Sequence, residues 1–120
     1  MINLSNLASG YAAAWTAHDA FVLAAHFEPT GHLVVNGEAA TSPKAIADVA
    51  EGFFTLLPDL HYMADDTRTA GQQMLQSWTL YGHHKDTNIF TKLSGWTTWD
   101  VSKGGKIQIA QMFFDSKELG

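Results

Sequence analysis

Leu57-Pro58-Asp59-Leu60 divides this chain into two differently patterned parts. Before it, residues fall into helical periods around one short strand; after it, apolar and polar residues alternate in runs separated by turns. Ile46, Val49, Phe53 and Leu56 or Leu57 form an apolar stripe at helical spacing. Pro58 stops that stripe, because proline lacks the N–H a continuing helix needs. Thr41-Ser42-Pro43 opens the same helix, with Ser42 as N-cap and Pro43 at the first helical position. Further upstream, Leu4, Leu7, Ala8, Tyr11, Ala14, Trp15 and His18 share one face of a helix expected from about Asn3 to His18. Gly10 weakens it by about 1 kcal/mol relative to alanine. Asp19 suits the N-cap of a short second helix reaching His26. Glu28-Pro29-Thr30-Gly31 reads as a turn, and His32 to Asn36 as a strand that Gly37 ends.

Downstream of the divide, strands are expected from Leu60 to about Thr67, Gln73 to Tyr81, Ile89 to about Val101, and Lys106 to Asp115. Ala70-Gly71-Gln72, the polar stretch from Gly82 to Asn88, and Ser102-Lys103-Gly104-Gly105 connect them, and Gly95 reads as a bulge or bend. Strands joined by short connections make an antiparallel meander, and helices segregated to the first half make the class α+β. The last strand is apolar on both faces, with Ile107, Ile109 and Phe113 on one and Ala110, Met112 and Phe114 on the other. Two apolar faces need two covers. The helices supply one, and a homodimer through the open face of the sheet is expected to supply the other. Trp96 and Trp99 are an odd number of residues apart and so point to opposite faces.

Bulk properties narrow the function. Hydrophobic residues make up 46% of the 120 and charged residues 16%, the reverse of a disordered chain. Net charge is -5 and the seven Lys and Arg are scattered, so neither nucleic acid nor a membrane surface is an expected partner. The chain has no cysteine, which excludes disulfides, thiolate catalysis and Cys-ligated zinc. Met1 to Asn6 lacks the basic and apolar regions of a signal peptide, and no apolar run approaches a membrane span of roughly 20 residues. A cytoplasmic location is expected.

The order of these pieces resembles the nuclear transport factor 2-like fold, and within it the SnoaL-like, polyketide cyclase-like proteins. The matching pieces are Trp15 with His18-Asp19, Asn36-Gly37, Leu57-Pro58-Asp59-Leu60, Trp78 through His84, and Gly105-Lys106-Ile107. The resemblance spans nearly the whole chain. It implies a cone-shaped, curved, mostly antiparallel sheet wrapped around N-terminal helices, with an apolar pocket for a small lipophilic or polycyclic molecule and no cofactor. Fold membership does not deliver function, because this superfamily holds cyclases, isomerases, dehydratases, epoxide hydrolases and non-catalytic modules. Counted from Gly105-Lys106-Ile107, the aspartate and histidine used by the cyclases fall on Met112 and Ala110, neither of which moves a proton. Related epoxide hydrolases need an arginine between two aspartates; Arg68, the sole arginine, stands beside Asp65 and Asp66 at a strand end and reads as solvated. Asn36 stands near the position of an isomerase's aspartate base and cannot replace it.

Six residues are candidates for the pocket: Tyr11, Trp15, His32, Asn36, His61 and Met112. Asn36 can orient a carbonyl or hydroxyl, or it can form the Asn-Gly turn. Tyr11 and Trp15 lie one helical turn apart, where they line a cavity or pack the core with their polar tips satisfied locally. His32 and His61 alternate with apolar neighbours, and either is a candidate base, although no carboxylate partner is evident. Met112 suits a soft apolar site or a closed core. His18 and Asp19 do not form a dyad, since adjacent residues do not face each other on a helix. His83, His84 and Asp86, with His61, lack metal-ligand spacing, so no metal is expected. Two functions follow: cofactor-free proton transfer, with Asn36 and Tyr11 orienting a carbonyl beside a histidine base, or a non-catalytic binding or dimerisation module.

Overall fold

A computed structural model describes residues 3–115 and Lys117. Three helices, α1 (Leu4–Thr16), α2 (Ala20–Ala25) and α3 (Pro43–Leu56), pack on a six-stranded sheet. The strands are β1 (Phe27–Val35), β2 (Glu38–Ala40), β3 (His61–Ala70), β4 (Gln73–His83), β5 (Phe90–Val101) and β6 (Ile107–Phe114), in the spatial order β2-β1-β6-β5-β4-β3. All pairs are antiparallel except β1 with β6.

The caps behave as their side chains dictate. Asn3, Asp19 and Ser42 each accept a hydrogen bond from the backbone N–H three residues on, and Pro43 occupies the first turn of α3. His18 adopts a left-handed conformation (φ 56) between α1 and α2 and donates from Nε2 to the Leu60 carbonyl at 2.8 Å. Its ring stacks on Phe54 with centroids 4.7 Å apart. His18 is therefore a helix-end residue that ties α1 to the junction before β3.

That junction rests on Gly82. A Cβ there would lie 2.8 Å from Asp59 Oδ1 and 3.3 Å from both Leu57 and Leu60. The open space admits Asp59, whose Oδ1 accepts from the His83 backbone N–H and whose Oδ2 accepts from His83 Nδ1, both at 2.6 Å.

Four expectations need correction. Residues 28–31 are not a turn but part of β1, with a register shift between Phe27 and His32. Gly31 permits this, since a Cβ would meet the carbonyls of Glu28 and Ile107 at 2.9 Å. The three-residue β2 was not anticipated; it pairs Leu33 with Ala40. Ile107 joins Ala110 and Met112 on the inner face, because pairing with β5 slips by one residue between Asp100 and Val101. Gly95 is no bulge, since pairing with β4 runs through it unbroken and it pairs with Phe114 at the end of the β5–β6 ladder. Its missing side chain instead makes room for the Trp78 ring and the Phe113 carbonyl, which a Cβ would meet at 2.8 and 2.1 Å.

The core fills the concave side of the sheet. Trp15, Trp78, Trp99, Tyr11, Leu33, Leu80, Leu93, Ile107 and Met112 are almost completely buried. Each large apolar side chain removed from water contributes roughly 1.5–3 kcal/mol. Trp99 faces this core while Trp96, on the other side of β5, remains 49% exposed. Gly95→Ala is expected to destabilise the fold by roughly 1–3 kcal/mol or more through overpacking. Urea unfolding would measure it, and a midpoint equal to that of the unaltered protein would remove this role for Gly95.

Candidate functional site

Side chains from α1, α3 and three strands meet on the concave face. Trp15, Tyr62, Trp78, Phe114 and Phe53 form a closed circuit of rings, with successive centroids 6.0, 5.8, 6.2, 6.0 and 5.5 Å apart. Helical spacing brings Trp15 and Phe53 inward from α1 and α3, and strand alternation brings Tyr62, Trp78 and Phe114 inward from the sheet. Phe114 is only half-buried and forms the lip of the circuit.

The buried polar groups are uncharged. Tyr62 donates from its hydroxyl to Gln76 Oε1, and Gln76 Nε2 donates to Thr67 Oγ1 at 3.0 Å. Trp78 Nε1 donates to Thr97 Oγ1 at 2.8 Å. Gln76 and Thr97 are wholly buried and satisfied by these bonds. The Tyr11 hydroxyl and the indole Nε1 groups of Trp15 and Trp99 are buried together and make no hydrogen bond outside their own group. Tyr11 lies between the two indoles, with ring centroids 6.4 Å from Trp15 and 5.1 Å from Trp99. Burial pushes the Tyr11 phenol up to about 12, and the nearby indole N–H groups offset only part of that rise. Burial likewise pushes Tyr62 well above the ordinary phenol range. Both phenols are therefore neutral donors over the whole physiological range.

Two clefts border this part of the molecule without being lined by Tyr11 or Trp15. One of about 430 Å³ has Met74 and Trp99 in its lining, and one of about 310 Å³, between α1 and β3, reaches Ala8, Ala12 and Gln76. A hollow of about 660 Å³ between α2 and α3 lies outside the concave face. Its rim carries Lys44, Asp48, Glu51 and Lys106, charges that cancel, and it presents no buried polar group.

The six candidates from sequence separate clearly. Tyr11, Trp15 and Met112 come together in the interior. Asn36 does not join them: it is exposed in the β1–β2 turn at φ 48. Its N–H donates to the Met112 carbonyl at 3.0 Å, and its Oδ1 accepts from the Phe114 N–H at 3.1 Å. The carboxamide thus prolongs the pairing of β1 with β6. His32 is half-buried and alternates with the fully buried Leu33, so it faces the convex side. His61 is exposed and packs on Tyr81, centroids 5.1 Å apart. The histidine nearest the interior is His26, half-buried with its ring centroid 6.3 Å from Tyr11. Its Nδ1 donates to the Val22 carbonyl at 2.7 Å, which leaves Nε2 unprotonated in the neutral ring. Sequence reading placed His26 at a helix end, where it indeed sits; only the packing of α1 against α2 brings it to Tyr11.

Trp99, Tyr62 and Gln76 were also missed as site residues. Alternation assigned Trp99 to one of two faces, but nothing local showed that its Nε1 would approach Tyr11. No group of three or more metal-ligating side chains occurs among the described residues. His83 turns to Asp59, and His84 Nδ1 accepts from the Asp86 N–H at 3.2 Å. Arg68 pairs with the exposed Asp66 at 2.9 Å, and Asp65 accepts from Thr79, so no arginine bridges two aspartates in the interior.

Known proteins share this architecture. A SnoaL-like domain model matches residues 8–109. No curated protein matches the sequence significantly. A hypothetical protein with a ketosteroid isomerase-like fold from Catenulispora acidiphila DSM 44928, solved with trimethylamine, superposes with TM-score 0.87 at 19% identity, covering 94% of this chain and 88% of that one. A nuclear transport factor 2-like protein of unknown function from Exiguobacterium sp. 255-15 gives 0.79 at 20% identity, covering 91% and 98%. TerC, co-crystallised with polyporic acid, gives 0.82 at 13% identity, covering 94% and 92%. At these identities the likeness establishes the fold, which is nuclear transport factor 2-like.

The ring of His83 and then its backbone N–H hold the Asp59 carboxyl below its ordinary value of 3.8. A depressed carboxyl stabilises the fold above its unfolded pKa and loses that contribution as pH falls through its folded value. Asp59→Asn is therefore expected to lower Tm near neutral pH, with the gap closing below about pH 3.8. Melting curves from pH 2 to 7 check this, and a gap that widened toward acid would contradict it.

Proposed function

The chain belongs to the SnoaL-like domain family, and from that premise we propose that it binds a small lipophilic molecule in the cytoplasm without transferring a proton to or from it. The observation that carries this reading is the circuit of five aromatic rings with Phe114 at its lip and no charged group inside. Aromatic walls with a few placed polar groups suit a planar apolar ligand. Proton transfer at neutral pH needs a group that titrates near 7 within reach of the ligand. Among the described residues, the only buried ionisable side chains are Tyr11 and Tyr62, and both are held in the neutral form. Met112 and Ala110 present a thioether and a methyl group at the cyclase acid-base positions, His32 and His61 lie on the convex face or in solvent, and His26 turns its Nε2 against Gly10 of α1. The polyporic acid bound by TerC, a fold relative, is in keeping with a planar lipophilic ligand.

The test uses 2-acetylnaphthalene, a planar ketone with exchangeable methyl protons. Saturable quenching of tryptophan fluorescence is expected, while NMR in D₂O shows methyl deuteration no faster than in buffer alone. Absence of saturable binding defeats the pocket, and accelerated deuteration defeats the non-catalytic reading.

The convex face supports a second copy of the chain as partner. Trp96 stacks on Phe113 with centroids 5.4 Å apart, and Met63, Leu75 and Trp96 are each more than 40% exposed there. Monomers rarely leave such a cluster in water. Trp96→Glu is expected to convert a dimer to a monomer in sedimentation equilibrium with the fold intact; an unchanged mass would remove this face from any assembly.

A further inference from the structure

The geometry points to a second site, on the convex side of the sheet, where His83, oriented by Asp59, acts as the general base for hydrolysis of aryl esters. This site lies beside the Leu57–Leu60 junction and is independent of how the interior is used. His83 alternates with the buried Gly82 at the end of β4, so its ring faces outward, and about half of it is exposed to water. Its Nδ1 lies 2.6 Å from Asp59 Oδ2. The Asp59 carboxyl is ionised at neutral pH and can only accept. Nδ1 therefore carries the proton, and Nε2 of the neutral ring keeps a free lone pair. Holding the junction requires less than this. Asp59 Oδ1 already accepts from the His83 backbone N–H, a bond that any residue but proline supplies. Phe90 stands opposite His83 in the β4–β5 ladder and packs edge-on against the imidazole, with centroids 5.6 Å apart. A carboxylate and a ring thus fix the tautomer and the plane of a histidine that is open to solvent.

A cleft of about 280 Å³ has Asp59, His83, His84 and Lys85 in its lining. The two histidines carry opposite tautomers. His84 Nδ1 accepts from the Asp86 N–H at 3.2 Å, so the proton of its neutral ring sits on Nε2. One cleft therefore holds an oriented lone pair, a neutral N–H donor and an ammonium group, which together suit ester hydrolysis. In the step, His83 Nε2 takes a proton from water as the water oxygen bonds to the ester carbonyl carbon. His84 Nε2–H and the Lys85 ammonium stabilise the negative charge on the carbonyl oxygen. The bond from that carbon to the leaving oxygen then breaks, and the His83 imidazolium returns its proton to the leaving oxygen. The products are a carboxylic acid and a phenol. The aryl group is selected by what adjoins the base. Ile89 and Phe90 are both more than half exposed, and the Phe90 ring continues to Tyr81 with centroids 6.2 Å apart. This strip stands six residues along β5 from Trp96, about 20 Å at strand spacing, so a second copy seated on Trp96 leaves it accessible.

The probe is 2-naphthyl acetate, with released 2-naphthol followed by fluorescence. Multiple turnovers are expected, about tenfold or more faster than with equimolar free imidazole. The rate should rise between about pH 5 and 8, as a histidine base requires. His83→Gln retains the backbone bond to Asp59 and is expected to lower the rate about tenfold or more, while His32→Gln leaves it unchanged. Asn at position 59 has one oxygen for two donors. With that oxygen on the His83 backbone N–H, its NH₂ turns to Nδ1 and drives the ring proton to Nε2, which blocks the base. Asp59→Asn is therefore expected to match the loss in His83→Gln, and ¹⁵N NMR should show the His83 proton on Nε2 instead of Nδ1. Thermal melts report folding of each variant, and His83→Gln carries the test should Asp59→Asn fold poorly. Hydrolysis no faster than with imidazole overturns the inference, as does an unchanged rate in His83→Gln. Release of one equivalent of naphthol without turnover, the mark of an acylated lysine, also overturns it. So does an Nε2–H tautomer of His83 in the unaltered protein.

Discussion

The parallel pairing of β1 with β6 is the constraint on which the rest of the molecule depends. The meander β3–β6 pairs through short connections, whereas β1 meets β6 across about two-thirds of the chain, from Phe27 with Ile107 to Val35 with Met112. That ladder brings α2 to the sheet, because α2 leads directly into β1, while α1 is tied to β3 by the bonds of Thr16 with the Tyr62 backbone. Asn36 extends the same ladder beyond its last strand residue by bonding to Met112 and Phe114. Without this seam β1 and β2 would have no place in the sheet. Closing so long a loop carries an entropic cost that grows slowly with length. The apolar side chains along the seam, Phe27, Leu33, Ile107, Ala110 and Met112, offset it.

The two faces of the sheet then divide the chemistry. Alternation sends Trp99, Thr97 and Leu93 inward from β5 and leaves Trp96, Ser94 and Lys92 outside. The inner face is aromatic and polar without charge. Its hydrogen bonds run in short chains from Tyr62 to Thr67 and from Trp78 to Thr97. A satisfied buried network gives a core one arrangement instead of several. Beside it, the Tyr11 hydroxyl and the indole N–H groups of Trp15 and Trp99 are buried without a partner outside their own group.

The junction from Leu57 to Leu60 shows how local punctuation becomes tertiary structure. Pro58 ends α3 by its own chemistry, but Asp59 acquires its role from β4. There Gly82 leaves the space and His83 supplies the donors. Similarly, Gly95 is legible in sequence as an anomaly within a strand, while its purpose, seating the Trp78 ring, requires the neighbouring strands to be in place.

Much of the fold followed from local rules. Ser42, Pro43 and Asp19 mark helix starts because capping is a contact between residues three apart. Alternation placed Trp96 and Trp99 on opposite faces because the strand period is two. The same rule failed at Ile107 and over residues 28–31, where a slipped register and a glycine packed against two carbonyls are contacts with a distant strand. The site was legible in part. Tyr11 and Trp15 belong to the apolar face of α1 by periodicity alone, and the missing acid and base at Met112 and Ala110 can be counted from the Gly-Lys-Ile turn. The turn chemistry of Asn36 competed with a pocket role, and only the Met112 carbonyl and the Phe114 N–H decided for the turn. Thus the sequence by itself determined the order and type of the helices and long strands and the low charge of the chain, since these rest on period, caps and composition. Only the tertiary structure decided which donors meet and which stay unpaired, because hydrogen bonding is settled by distances of a few ångströms between residues far apart along the chain.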